Sequence, residues 1–180
     1  DWGQDRNLLN PIDEAIVATH GDAAKRKELE DRLAAVLKTD VSYDSRQFVC
    51  RKLMVIGTAS SVPALAELLT DEKLSHMARY ALERIPGPEA GTALRKALPG
   101  VASPLRIGII GSLGVRGEAA SVAPLRALLS DGDPAIATSA ARALGAIGSA
   151  EATKALQSVK AKPATRKALA DASLVGAERL

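Results

Sequence analysis

Two series of leucines recur along this chain of 180 residues with the same spacing. The first series consists of Leu53, Leu82, Leu113 and Leu144, which are 29, 31 and 31 residues apart. The second series has the same three intervals and consists of Leu65, Leu94, Leu125 and Leu156. It follows the first by 12 residues in every unit. A constant offset between two series indicates four copies of one structural unit of about 30 residues.

Each unit combines two helical segments with a tight turn. In residues 74–85, apolar side chains recur at i, i+3, i+4, i+7, i+8 and i+11, which predicts one buried stripe on a helix. Asp71 and Asp133 lie where the N-caps of first helices are expected. Pro63 and Pro88 fall near the starts of second helices, where a missing N–H is tolerated. A glycine that can adopt the left-handed conformation is expected to end each first helix. These glycines are Gly57, Gly87, Gly117 and Gly148.

A helix pair of this length cannot bury its own apolar stripe, whereas stacked pairs can. We therefore expect an all-α fold, a right-handed α-solenoid of about five antiparallel helix pairs. The four predicted repeats are residues 39–69, 70–98, 99–129 and 130–159. A degenerate helix pair is expected in residues 1–38, and residues 160–180 are expected to form the first helix of a further, truncated repeat. All of these belong to one continuous solenoid domain.

The last predicted helix has no second helix after it in the sequence. Leu169, Leu174 and Leu180 are expected to lie at an open end, which solenoids normally close with a polar capping unit. We therefore expect that the natural protein continues past Leu180. The open end is also a candidate surface for association with another molecule.

Composition narrows the chemistry that is available. Aromatic residues make up only 2% of the chain, so the core must be built from aliphatic side chains. Cys50 is the single cysteine, which excludes an intrachain disulfide and a zinc site with several cysteines. No apolar run approaches the roughly 20 residues that span a membrane. Residues 1–90 carry 12 Lys and Arg against 15 Asp and Glu, whereas residues 91–180 carry 12 against 6.

The excess of positive charge in the second half includes a candidate binding patch. If the second leucine series faces the core, the second helices expose Pro63, Glu67, Thr92, Lys96, Ala123, Ala127, Lys154 and Ser158. Arg95 and Arg126 flank this row at matching positions. The candidate patch is Arg95, Lys96, Arg126 and Lys154. It would suit a protein or peptide partner with acidic residues, and ordinary solubilising charge is the alternative explanation. A nucleic-acid partner is not expected, because no dense stripe of Lys and Arg exists.

The segment LSHMARYALERI (residues 74–85) contains one of the two histidines. At 100° per residue, His76, Arg79 and Glu83 are expected on a solvated outer face, away from the apolar stripe. A metal site would require further converging ligands, and His20 lies two units away. We therefore predict no metal site, no catalytic residue and no cofactor.

The fourth unit carries the most specific pattern in the chain. Residues 133–159 resemble the HEAT-like repeats of the phycobilisome-lyase type, whose pattern is D-P-x-[VI]-R-x-x-A-A-x-A-L-G-x-I-G. The matching residues are Asp133, Pro134, Ile136, Ala140, Ala141, Ala143, Leu144, Gly145, Ile147 and Gly148. Arg46 and Arg106 occupy the arginine position in two other units, where the resemblance implies structural contacts between repeats. Similar repeats in large bacterial, often exported, multidomain proteins imply an exported or periplasmic location.

The resemblance leads us to expect a non-catalytic HEAT-repeat scaffold that mediates protein–protein interaction as one region of a larger protein. The alternatives are a bilin-lyase-like enzyme or enzyme subunit, and a structural support for a neighbouring catalytic domain. Cys50 could supply a thiol for bilin chemistry, but it aligns with Ala141, which predicts a buried residue. HEAT-like deoxyhypusine hydroxylases hold two irons with repeated His-Glu pairs. Here Gly21 follows His20 and Met77 follows His76.

Overall fold

The computed structural model describes residues 7–160 and 162–179. Within these ranges the chain forms eleven α-helices and no strand. In chain order the helices are α1 (Asn10–Ala18), α2 (Ala23–Val36), α3 (Tyr43–Ile56), α4 (Val62–Glu67), α5 (Ser75–Arg84), α6 (Pro88–Ala97), α7 (Ser103–Arg116), α8 (Val122–Leu128), α9 (Pro134–Ile147), α10 (Ala150–Gln157) and α11 (Arg166–Glu178). Trp2 and Leu180 lie outside the described residues.

The helices stack as successive pairs. The first helices α3, α5, α7, α9 and α11 each pack against the next in chain order, and α2 packs against α3 at the beginning of the stack. Among the second helices, α4 packs against α6 and α8 against α10. This layered arrangement confirms the prediction of an all-α solenoid built of helix pairs. No described helix is both long enough and apolar enough to cross a membrane.

Both leucine series form the core of the stack. Seven of the eight leucines have no exposed surface, and Leu156 is 3% exposed. The same leucine positions therefore connect every pair to its neighbour, and one apolar core runs along the solenoid. The core role assigned to both series is confirmed.

The glycines at the helix ends follow the prediction only in part. Gly117 and Gly148 end α7 and α9 in the left-handed conformation, with φ of 67° and 64°. Gly57 ends α3 in an extended conformation, so the prediction was wrong there. A Cβ at Gly57 would collide with the carbonyl oxygen of Leu53, and lack of space therefore accounts for this glycine. Gly87 has a φ of 87° but precedes α6 instead of ending α5.

Other predicted helix ends are present. Pro63 is the second residue of α4 and Pro88 the first residue of α6, as expected for prolines near helix starts. The side chain of Asp133 accepts a hydrogen bond from the N–H of Ala135 and caps α9. Asp71 accepts from the N–H groups of Lys73 and Leu74, so it orders the turn before α5 and is not the N-cap of that helix.

The arginines of the repeat pattern bridge neighbouring pairs through backbone carbonyls. Arg106 in α7 donates from Nε to the carbonyl of Leu98 and from Nη2 to that of Val101, both at 3.1 Å. Arg46 in α3 donates to the carbonyl of Thr39 at 3.0 Å. Each guanidinium therefore satisfies carbonyl groups just after the preceding second helix.

The last helix leaves part of its surface uncovered. Leu174 in α11 is 66% exposed, whereas Leu169 is 6% exposed and belongs to the core. The prediction that these leucines are uncovered was wrong for Leu169, because Leu169 lies on the side of α11 that packs against the preceding pair. The open end itself stays a prediction.

Candidate functional site

The exposed residues of the second helices make up the candidate surface. We call this surface the second-helix face, and it consists of Pro63, Glu67, Thr92, Lys96, Ala123, Arg126, Ala127, Lys154 and Ser158. All of these are exposed except Thr92, which is half-buried. Seven of the eight residues that the sequence placed in this row are therefore exposed, and so is Arg126.

Three of the four predicted patch residues lie exposed on this face: Lys96 on α6, Arg126 on α8 and Lys154 on α10. The fourth, Arg95, has a side chain that is only 17% exposed. Its Nη1 donates to Oε2 of Glu118 at 2.6 Å and to Oγ of Ser121 at 3.2 Å. The charge of Arg95 is therefore compensated inside the fold. The sequence did not indicate this, because Glu118 lies in a turn of the next repeat.

Glu118 joins the second and third predicted repeats. Arg116 donates to it from Nε at 2.7 Å and also donates to the carbonyls of Ile85 and Gly87 in the preceding repeat. Burial alone would raise the pKa of Glu118, but hydrogen bonds from Arg95 and Arg116, together with their charges, outweigh it and lower the pKa. The cluster of Arg95, Arg116 and Glu118 therefore links two repeats, and it lies beside the second-helix face.

A groove lies between α4 and α6 and forms part of the second-helix face. Its volume is about 740 Å³. Its floor is formed by half-buried Ala66, Ala93 and Ala97 together with buried Val62. Two exposed charges also line it, Glu89 in the first turn of α6 and Lys96 in the last turn. The groove thus combines an apolar floor with opposite charges at its two ends.

The outer-face prediction for residues 74–85 was wrong. Arg79 is half-buried and donates from Nη1 to the carbonyl of Gly108 at 3.0 Å and to Oγ of Ser112 at 3.3 Å. The hydroxyl of Ser112 donates to Oε1 of Glu83 at 2.6 Å, so both charged side chains contact the next pair. His76 is also half-buried, with its ring edge-on to Tyr80.

The reason for this error is visible in the repeat. Arg79 lies three residues before Leu82. The equivalent position in the other pairs is occupied by Cys50, Ile110 and Ala141. All three of those residues have no exposed surface. A helix in a solenoid packs against neighbours on two sides. A helical-wheel projection of a single pair identifies only one of these two buried sides. Burial lowers the pKa of the Arg79 guanidinium, and the charge of Glu83 opposes that effect.

Cys50 and the histidines do not converge on a site. Cys50 is fully buried, as predicted, and burial raises the pKa of its thiol to about 12. Among the residues that the structure describes, no group of three or more His, Cys, Asp and Glu side chains could hold a metal ion.

The stacked pairs, the continuous leucine core and the exposed second-helix face define this chain as a helical-repeat protein of the α-solenoid class. Residues 102–174, which are less than half of the chain, match the family model of HEAT repeats. The resemblance to HEAT repeats is confirmed, whereas the phycobilisome-lyase type is not. No curated protein sequence matches the chain.

The fold is similar to that of human deoxyhypusine hydroxylase, solved in complex with glycerol. The TM-score is 0.59 at 18% sequence identity, and the match covers 97% of this chain and 75% of that one. An identity this low shows a shared fold alone.

This similarity corrects the predicted function. We expected a non-catalytic scaffold because the chain resembles HEAT repeats, and that prediction was wrong: an enzyme has the same architecture. A HEAT-repeat solenoid is therefore no indication that catalytic activity is absent. What the fold supports is a helical-repeat framework, and function has to be argued from its surfaces.

Proposed function

We propose that this chain binds a segment of a partner protein on its second-helix face, and that the segment is acidic. The observation that carries the proposal is the exposure of Lys96, Arg126 and Lys154 on α6, α8 and α10. HEAT repeats often mediate protein interactions, which supports a protein as the partner. Binding at this face does not require that the chain lack catalytic activity. The exported location implied by the resemblance stays a prediction.

The three cations would contribute mainly selectivity. An ion pair between exposed side chains is worth about 0.2–1 kcal/mol, because water and salt screen it. Three such pairs would raise the rate of association with an acidic segment and disfavour a basic one. The remaining affinity must come from apolar contact, which the groove between α4 and α6 offers.

Fluorescence anisotropy with a labelled poly-glutamate peptide tests the proposal. The wild-type chain is expected to bind this probe weakly, because the probe uses only the charges of the face, and binding should weaken further as salt is added. The triple variant Lys96→Glu, Arg126→Glu, Lys154→Glu is expected to lose most of the affinity, because three attractions become repulsions.

A matched triple variant controls for net charge. Lys73, Arg84 and Arg142 are also exposed cations, and they lie at or near the first helices α5 and α9. Reversing these three charges changes the net charge by the same amount and should leave most of the binding intact. Equal losses in both triple variants would show that only net charge matters and would contradict the proposal. Tighter binding of a labelled single-stranded DNA than of poly-glutamate would replace the protein partner with nucleic acid.

A further inference from the structure

The groove between α4 and α6 allows the partner segment to be described more closely. We infer that it holds an amphipathic helix of the partner with an acidic residue followed seven residues later by a basic residue, running antiparallel to α6. This inference rests on the proposed function, because it specifies the segment that the second-helix face would bind.

The length of the groove suits a short helix. Its lining on α6 runs from Pro88 to Ala97, which corresponds to about 15 Å at 1.5 Å per residue. That length accommodates about three turns of a partner helix. The alanines on the floor are half-buried and short, so apolar side chains of the partner can enter between α4 and α6.

The two charges in the groove distinguish a helix from an extended segment. Glu89 and Lys96 are seven residues apart on one helix, about 10 Å along its axis. A partner must place a cation near Glu89 and an anion near Lys96 while keeping its apolar side chains on the floor. In a partner helix, residues seven apart lie on one face at this same distance.

An extended segment does not meet the same requirement. About three residues of a strand cover 10 Å, and side chains three residues apart point to opposite faces. One of the two charges would then point away from the groove. Charge complementarity therefore favours a helical partner.

The direction of the partner helix follows from the helix dipoles. A helix is stabilised by an acidic residue near its N-terminus and a basic residue near its C-terminus. A partner helix that meets both preferences places its acidic, N-terminal end at Lys96 in the last turn of α6. It then runs antiparallel to α6, which is also the favourable arrangement of the two dipoles. The dipole of α6 explains why Glu89 carries a negative charge and Lys96 a positive one at these two ends of the helix. It does not explain why both side chains line one groove.

Two synthetic helical peptides of identical composition test this inference. Both carry the same apolar face, and they differ only in whether glutamate precedes lysine by seven residues or lysine precedes glutamate. The wild-type chain is expected to bind the glutamate-first peptide about fivefold to twentyfold more tightly in anisotropy titrations. Equal affinities for the two peptides would overturn the inference.

A charge-swapped variant makes the test specific to the groove. Glu89→Lys combined with Lys96→Glu keeps the net charge, and both side chains are exposed, so placing each charge against the dipole of α6 should lower the stability of the fold only slightly. This variant should prefer the lysine-first peptide. The control exchanges the ion pair of Lys27 and Asp31, which lies exposed on α2, and should keep the wild-type preference. An unchanged preference in the Glu89 and Lys96 variant would show that the groove does not hold the helix.

The two proposals fail in different ways. Loss of poly-glutamate binding in the Lys96, Arg126 and Lys154 variant, together with equal affinities for the helical peptides, would overturn only the helix in the groove. Absence of binding for poly-glutamate and for both peptides would overturn the proposed function as well.

Discussion

Gly114 in α7 lies directly against Ala143 in α9. A Cβ on Gly114 would approach the Cα of Ala143 to 2.8 Å, closer than side-chain carbons pack. Gly145 has the same relationship to Ala172 in α11, where a Cβ would lie 2.8 Å from the backbone carbonyl oxygen. These glycines are 31 residues apart and occupy the same position in consecutive pairs. Close approach of first helices is therefore a repeated feature of the C-terminal half.

Gly114→Ala should destabilise the fold by about 1–3 kcal/mol, the usual effect of overpacking, because the neighbouring atom is backbone. Gly111 on the same helix is exposed, and a Cβ there would meet nothing within 4 Å. Gly111→Ala should stabilise the fold by up to about 1 kcal/mol through helix propensity. Urea unfolding followed by circular dichroism measures both changes. If Gly114→Ala and Gly111→Ala changed the stability in the same direction, close packing would not be what restricts position 114 to glycine.

Glu30 in α2 is a buried carboxylate that holds the N-terminal pair against the first predicted repeat. It is 1% exposed, and its Oε1 accepts from the N–H of Ser61 at 3.2 Å and from the hydroxyl at 2.8 Å. The same carboxylate accepts from the N–H of Thr58 at 2.6 Å and from its hydroxyl. Four donors around the start of α4 thus converge on one side chain, and the two donors of Ser61 also reach the carbonyl of Thr58.

Glu30→Ala should lower the free energy of unfolding by about 1–3 kcal/mol, because the N–H of Thr58 loses its acceptor and each donor of Ser61 loses one of its two. Glu30→Gln keeps one acceptor oxygen and should have a smaller effect. The control is Glu28→Ala on the same helix, since Glu28 is exposed and its ion pair with Arg32 spans 3.9 Å. That change should stay within about 0.5 kcal/mol. Equal effects of Glu28→Ala and Glu30→Ala in urea unfolding would contradict the structural role of Glu30.

The cluster of Arg95, Arg116 and Glu118 predicts that the stability of the fold depends on pH. The pKa of Glu118 is lowered on folding, so its ionised form is favoured in the folded state. Its contribution to stability is therefore fully present above the ordinary value of 4.5 and is lost as the pH falls through the lower folded-state pKa. Near pH 7, Glu118→Gln should reduce stability by about 1–3 kcal/mol, as for other hydrogen bonds to charged groups.

The wild-type advantage over Glu118→Gln should shrink as the pH falls below 4.5 and through the lower folded-state pKa of Glu118. Urea unfolding of both proteins between neutral and acidic pH provides the measurement. Glu72→Gln, at an exposed position in the turn before α5, serves as the control for general acid effects. A difference between wild type and Glu118→Gln that does not change with pH would show that the carboxylate of Glu118 is not responsible.

The sequence predicted the solenoid because the fold depends on a short-range pattern that repeats. Leu53 and Leu65 have equivalents in three further pairs, and a periodic leucine position is buried wherever it recurs. The exposed cations on the second helices followed from the same periodicity.

Polar contacts that occur at one helix pair and do not recur in the others could not be predicted from the periodicity. Arg79 occurs at a position where the other pairs have Cys, Ile or Ala, and its partners Gly108 and Ser112 belong to the next pair. Glu118 reaches Arg95 across 23 residues, and Glu30 reaches Ser61 across 31. Such polar contacts depend on how far one pair is rotated against the next, and spacing within a helix does not contain that information.

Cys50 should be unreactive in the folded protein. Its side chain has no exposed surface, and burial raises the pKa of its thiol to about 12 from an ordinary 9.0, so the reactive thiolate is almost absent at pH 8. A disulfide reagent such as dithionitrobenzoate should release no colour from the native chain but react fully once urea unfolds it. Cys50→Ala should be tolerated better than Cys50→Ser, because Ala141 fills the same position in the fourth repeat and a buried hydroxyl requires a hydrogen-bond partner. Rapid reaction of the native protein, at a rate that does not change with added urea, would mean that the first pair opens at Cys50 far more readily than its packing implies.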